Sequence, residues 1–178
     1  MVRRVVTGER DGKSIVVSDG PVPSTHDFAA VPGFQTTLVW AGSEVPSIPH
    51  TGDDPAVSTA SMLPSPYGSR VILVQFPPDS VMMRPEFDPE AAAREYLEFL
   101  PGLAESFDPD GSGMHKTATV DYDVIVSGEL WLELDDGEVR HLRPGDIVIQ
   151  NGTRHAWRNR SEQPAVMLAV LLGAQRQS

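Results

Sequence analysis

Between His115 and Glu129 the chain reads HKTATVDYDVIVSGE, and this stretch limits the possible folds more than any other. Successive side chains of a strand point to opposite faces. His115, Thr117, Thr119 and Asp121 therefore fall on one side, and Lys116, Ala118, Val120 and Tyr122 on the other. A histidine and a carboxylate share a face of a predicted sheet, and the β-branched run and glycine that follow read as strand and turn.

The rest of the chain agrees with a β-dominated fold. The 178 residues suit one domain (1–178) with a sizeable core, and 16 prolines and 15 glycines favour turns over a helical bundle. In the N-terminal part (1–69), Asp11-Gly12 between two valine-rich runs predicts a hairpin or an exchanged arm. Proline-rich cover follows, in which Thr36 to Trp40 reads as a strand. In 70–110, Arg70 to Phe76 reads as a buried strand. Asp88-Pro89-Glu90 then supplies a cap, a first-turn proline and an early acid for one helix from Pro89 to Leu100, with Ala93, Leu97 and Leu100 on its inner face. In 111–172, strands alternate with the turn signals Asp136-Gly137 and Pro144-Gly145, and the apolar run Ala165 to Leu172 closes the sheet.

Composition excludes several functions. A net charge of -11 repels a phosphate backbone, so nucleic acid is not an expected partner. No window approaches about 18 uninterrupted apolar residues and the first residues lack a signal-peptide apolar core, so the expectation is a cytoplasmic protein with no membrane partner. With no cysteine there is no disulfide, thiolate site or cysteine nucleophile. Gly8 to Ser14 superficially has P-loop glycines, but the strand-like Ile15-Val16-Val17 follows where a phosphate-binding helix would have to start.

The first stretch has a partner about forty residues on. His115-Lys-Thr117, three residues, Asp121, six residues and Gly128 are followed by Gly145, then Asn151-Gly152-Thr153-Arg154 and His155-Ala-Trp-Arg-Asn159. Order and spacing together resemble the two motifs of the cupin superfamily over about residues 111–172. Thr117 replaces the second histidine of the first motif, Asp121 stands where glutamate is usual, and the second motif is one residue short before its histidine. The resemblance implies an all-β, jelly-roll-like cupin barrel with added N-terminal strands and one short helix, a homodimer, and a pocket lined by His115, Thr117, Asp121 and His155. Its walls are expected from Trp131, Ile149, Trp157, Met167 and the helical segment.

His115, Asp121 and His155 form a candidate metal set, because two imidazoles and one carboxylate suit a divalent ion (Fe, Zn, Mn or Ni) with open positions. Thr117 could hold a water or a substrate oxygen. Trp157, Trp131, Asn159 and Tyr122 are candidate substrate contacts, although Tyr122 lies on the opposite predicted face. His26, His50 and His141 lack partners at motif spacing and read as surface or loop residues. The expected activity is metal-assisted oxygenation, decarboxylation, isomerisation or elimination of a small oxygen-bearing apolar or aromatic metabolite. A metal-free His/Asp acid-base enzyme and a non-catalytic metabolite-binding cupin are the alternatives.

Overall fold

The computed structural model describes residues 2–42, 45–50 and 53–176. Strand β1 (Arg3–Arg10) turns at Asp11-Gly12 into β2 (Lys13–Pro21), and both turn residues have positive φ (52° and 72°). That is the backbone a two-residue hairpin with matched strand twist requires. The hairpin forms a sheet of its own. Arg4 anchors it by an ion pair to Asp54 and by lying 5.5 Å over the Trp40 ring.

The main sheet has six strands. Its elements are β3 (Thr25–Asp27), β4 (Gln35–Gly42), β5 (Ser69–Phe76), β6 (Thr119–Ser127), β9 (Ile147–Gln150) and β11 (Ala165–Gly173), in the order β3-β4-β5-β11-β6-β9. A three-stranded sheet, β10-β7-β8, is built from β7 (Leu130–Glu133), β8 (Val139–Leu142) and β10 (Ala156–Arg158). All pairings are antiparallel. Ile72, Ile125, Met167 and Ala169 of the large sheet share one apolar cluster with Leu130 of the small one. Alternating burial along β6 and β11 turns one face of each strand into this core, and each fully buried Leu or Ile stabilises by about 1.5–3 kcal/mol.

Gly128 makes the sharp link from β6 to β7. Its φ is +71°, and a Cβ there would lie 2.5 Å from the Pro164 carbonyl oxygen, so glycine is required on both counts.

A four-residue helix α1 (Pro55–Ser58) precedes β5, and α2 (Pro89–Phe99) follows it. The Asp88 carboxylate caps α2 by accepting from the Glu90 and Ala91 amides. The inner stripe of α2 is Ala92, Tyr96 and the capping Leu100; Leu100 is buried as expected, while Ala92 and Tyr96 take the inner places expected of Ala93 and Leu97. Ala93 is exposed and Leu97 is 54% exposed. An alanine triplet at 91–93 leaves the helical phase open, and docking on Phe28 and Phe34 selects Tyr96 for the inside. Glu95 fixes that choice, because its carboxylate accepts from the Ala29 and Ala30 amides and meets His26 Nε2 at 3.0 Å.

Candidate active site

The opening stretch does place its polar residues on one face. Thr117, Thr119, Asp121 and Asp123 are all buried, at 2–6% exposure, while Tyr122 between the two acids is 41% exposed. β6 extends the alternation by one residue beyond the sequence reading, which stopped at Asp121. Asp123 was legible from the same period of two and is the principal site residue that reading missed.

His115 precedes β6 and forms a mutual backbone bridge with His155, each amide donating to the other's carbonyl at 2.9 Å. The two motifs, forty residues apart, are thus stitched together at their histidines. The imidazoles lie 4.3 Å apart between ring centroids, with Phe107 at 4.8 Å from His115 and Trp157 at 5.9 Å from His155. Each Nδ1 is directed at a backbone carbonyl, Gly113 for His115 (3.2 Å) and Thr153 for His155 (3.0 Å). A carbonyl only accepts, so Nδ1 carries the proton, and in the neutral ring Nε2 keeps its lone pair. Burial favours that neutral ring: it pushes His115 down, and burial followed by His115 pushes His155 down to about 4.

The carboxyl pair shifts the other way. Asp121 is pushed up to about 6 by burial, which the Thr119 hydroxyl partly opposes. Asp123 is pushed up to about 8, first by burial and then by the neighbouring Asp121. Asp121 sits directly opposite Gln150 in the β6–β9 ladder. Among the described residues, Asp121 Oδ1 and Gln150 Nε2 are both buried without a hydrogen-bond partner, an acceptor and a donor whose loss of water costs about 1–3 kcal/mol each. Gln150 Oε1 accepts from the Thr153 hydroxyl, and the hydroxyls of Thr117 and Thr119 lie 2.7 Å apart. The interior therefore presents bare imidazole nitrogens, two carboxyls that hold protons unusually late, and one amide donor.

Other expected contacts lie elsewhere. Trp131 faces away from the interior: it pairs with Arg158 on the side opposite buried Leu130 and Leu132, and stacks on His141 at 4.3 Å. Tyr122 and Ile149 are outward neighbours in the β6–β9 ladder, at 41% and 53% exposure. Asn159 is buried, but its side chain is spent on the Phe76 and Gln163 carbonyls and on Ser161, so it pins a loop and has no free group for a ligand. Trp157, opposite Leu132, and Met167 do face inward. His26, His50 and His141 each rest on an aromatic ring away from the paired histidines: Phe99, Trp40 and Trp131.

The resemblance implies a divalent ion on His115, Asp121 and His155. The tautomers of the two histidines suit ligation. Among the described residues, however, no three His, Asp or Glu side chains converge closely enough to hold an ion. The donor set does not fit a metal as it stands, and no chemical step is derived through one.

Comparison with known proteins finds a cupin-domain likeness over this site. Residues 105–171 match the cupin domain model. Oryzines biosynthesis cluster protein J from Aspergillus oryzae is 35% identical over 117 residues, covering 65% of this chain and 62% of that protein. The cupin-domain-containing oxidoreductase srdB of Neurospora crassa is 39% identical over 85 residues, 47% of this chain and 40% of that one. The chain thus spans less than two thirds of the length of these curated relatives. Among solved structures, a cupin-superfamily sugar phosphate isomerase from Silicibacter pomeroyi aligns over 81% of this chain and 62% of its own, at 17% identity and a TM-score of 0.42. No helix among the described residues is long and apolar enough to cross a membrane. The matched segment contains both histidines, both buried aspartates and Gln150, so the cupin-domain match falls on the candidate site itself.

Proposed function

We propose that the chain is a cupin enzyme that moves protons on a small oxygen-bearing metabolite, with Asp121 and His155 as the principal acid-base pair and His115 and Asp123 beside them. The observation that carries this reading is the orphaned Asp121 carboxyl oxygen opposite the orphaned Gln150 amide in a buried polar face. Buried groups of this kind persist where a ligand or reaction uses them. A carboxyl raised to about 6 can take and return a proton near neutrality, and an imidazole lowered to about 4 stays neutral there, with Nε2 free to accept.

The chemistry is proton abstraction beside a carbonyl, with the proton returned at another position or a leaving group expelled, giving isomerisation or elimination. Gln150 Nε2 donates to the carbonyl oxygen as negative charge develops there. Trp157 and Phe107 supply the apolar walls for the carbon skeleton. The names of the Neurospora crassa and Aspergillus ruber relatives, cupin-domain-containing oxidoreductases, favour a second reading in which an electron acceptor takes part. Oxygen consumption separates the two.

The test is hydrogen exchange in D2O. Wild-type protein treated with chelator is incubated with hydroxyketones, diketones and keto acids, and loss of the α-proton is followed by NMR. Exchange is expected for at least one compound, surviving chelation and reduced about 100-fold or more in Asp121→Asn. Exchange that stops on chelation, or that Asp121→Asn and His155→Gln both retain, contradicts the reading. The homodimer implied by the resemblance belongs to the same proposal. The outward apolar side chains Tyr122, Ile147 and Ile149 supply its surface, and Ile149→Glu should halve the mass measured by sedimentation.

A further inference from the structure

The strand register carries one row of residues across the main sheet. Ala41 on β4 pairs with Arg70 on β5, Arg70 with Leu171 on β11, Leu171 with Asp121 on β6, and Asp121 with Gln150 on β9. Directly paired residues share a face. Ala41, Leu171, Asp121 and Gln150 are all buried, so Arg70 springs from the inward face, level with the candidate catalytic carboxyl. Two strand spacings separate them, about 10 Å. The row lies at the rim, since β5 begins at Ser69, β6 begins at Thr119 and β9 ends at Gln150.

Arg70 is held firmly by backbone carbonyls and, among the described residues, is not neutralised. Its Nε donates to the Ser61 carbonyl at 3.0 Å, and Nη1 to those of Gly42 (3.3 Å) and Ser69 (2.8 Å). Among the described residues no carboxylate pairs with it and Nη2 has no acceptor. Arg4, Arg154 and Arg158 by contrast each meet an aspartate or glutamate. Burial disfavours the charge of Arg70, and an incoming anion would relieve that cost. The guanidinium lines a recess of about 600 Å³ with the apolar Ala41 and Pro55 and the hydroxyl-bearing Ser58, Thr59 and Ser65. A fixed cation, a donor left over and an apolar flank together suit an organic acid.

We propose that Arg70 is the carboxylate anchor of the site: the ligand is a small organic acid whose carboxylate seats on Arg70 and whose oxygen-bearing end reaches Asp121. This rests on the reading of the barrel interior as the active site. It narrows the substrate class to carboxylic acids carrying a second oxygen function several bonds from the carboxylate.

Titrations followed by amide NMR shifts test it, with benzoate as the carboxylate probe, methyl benzoate as its uncharged counterpart and inorganic phosphate as the competing anion. Benzoate should bind the wild type and shift amides near Ala41 and Thr59, while methyl benzoate and phosphate should not saturate. Arg70→Gln should weaken benzoate about 10- to 100-fold. Arg70→Lys should recover part of that loss, and Asp121→Asn should bind benzoate at least as well as wild type. Thermal melts confirm that each variant is folded. Absence of benzoate binding, saturation by phosphate alone, or wild-type binding by folded Arg70→Gln overturns the anchor. If Arg70→Gln keeps wild-type KM for a keto acid while Asp121→Asn loses exchange, the anchor fails and the acid-base reading stands. Benzoate binding through Arg70 with exchange unaffected in Asp121→Asn is the reverse result.

Discussion

Two halves of the same strand face are buried to the same extent and do opposite things. At the rim end of β6, Thr119, Asp121 and Asp123 are 2–6% exposed and polar; one step further, Ile125 is 1% exposed, pairs with Met167 and belongs to the same apolar cluster as Leu130 and Ala165. The apolar end supplies stability through area removed from water and close packing. The polar end consumes it, because desolvated carboxyls and an unbonded amide are each worse off than in water. The sheet carries its site by setting a costly half against a stabilising one.

Ile125→Ala breaks the stabilising half and should have the largest effect, a loss of about 2–5 kcal/mol in urea unfolding, because the cavity cannot collapse against the packed sheets. A loss under about 1 kcal/mol would mean that the apolar end is loosely packed.

The costly half shows itself through pH. The folded-state value of Asp123 is raised to about 8 from an ordinary 3.8, so the folded state holds a proton that the unfolded state has released. Stability is fully present below the unfolded value and falls as pH rises towards 8. Asp121 contributes the same sign up to about 6, whereas His155, lowered to about 4 from 6.5, makes stability rise with pH between those values. These opposed effects largely offset each other below pH 6.5, leaving Asp123 alone above it. Wild-type stability should fall by on the order of 1–2 kcal/mol between pH 6.5 and 8. Asp123→Asn should flatten that slope, and an unchanged slope in denaturant midpoints would remove Asp123 as its cause.

The smallest effect belongs to the outward face. Tyr122→Ser lies between the two acids in sequence but points away from them, so it should leave proton exchange intact and shift monomer stability by about 0.5 kcal/mol or less. A large loss of exchange would place Tyr122 at the site after all.

Much of this contrast was legible in the sequence. The period of two from His115 onward, Asp11-Gly12 and the Asp88-Pro89 cap all state local preferences, and β6, the hairpin and α2 follow them. The pairing of His115 with His155 was legible only as motif spacing. What could not be read were facts set by distant partners. Trp131 turns outward because its strand is shared with Leu130 and Leu132, and Asn159 is consumed by a carbonyl 83 residues away. Arg70 enters the row of Asp121 only through the register of three strands. Local pattern fixes which residues alternate; tertiary register decides what they meet.

The most direct test of the central claim is a carbon-13 NMR titration of the aspartate carboxyls, with Asp121→Asn and Asp123→Asn used for assignment. The two buried carboxyls should titrate as a coupled pair, with apparent values near 6 and 8, the first raised by burial and the second by burial and then by Asp121. If both instead titrate at ordinary aspartate values near 4, the carboxyls are solvated or paired, and the account of the barrel interior as a proton-transfer site is contradicted.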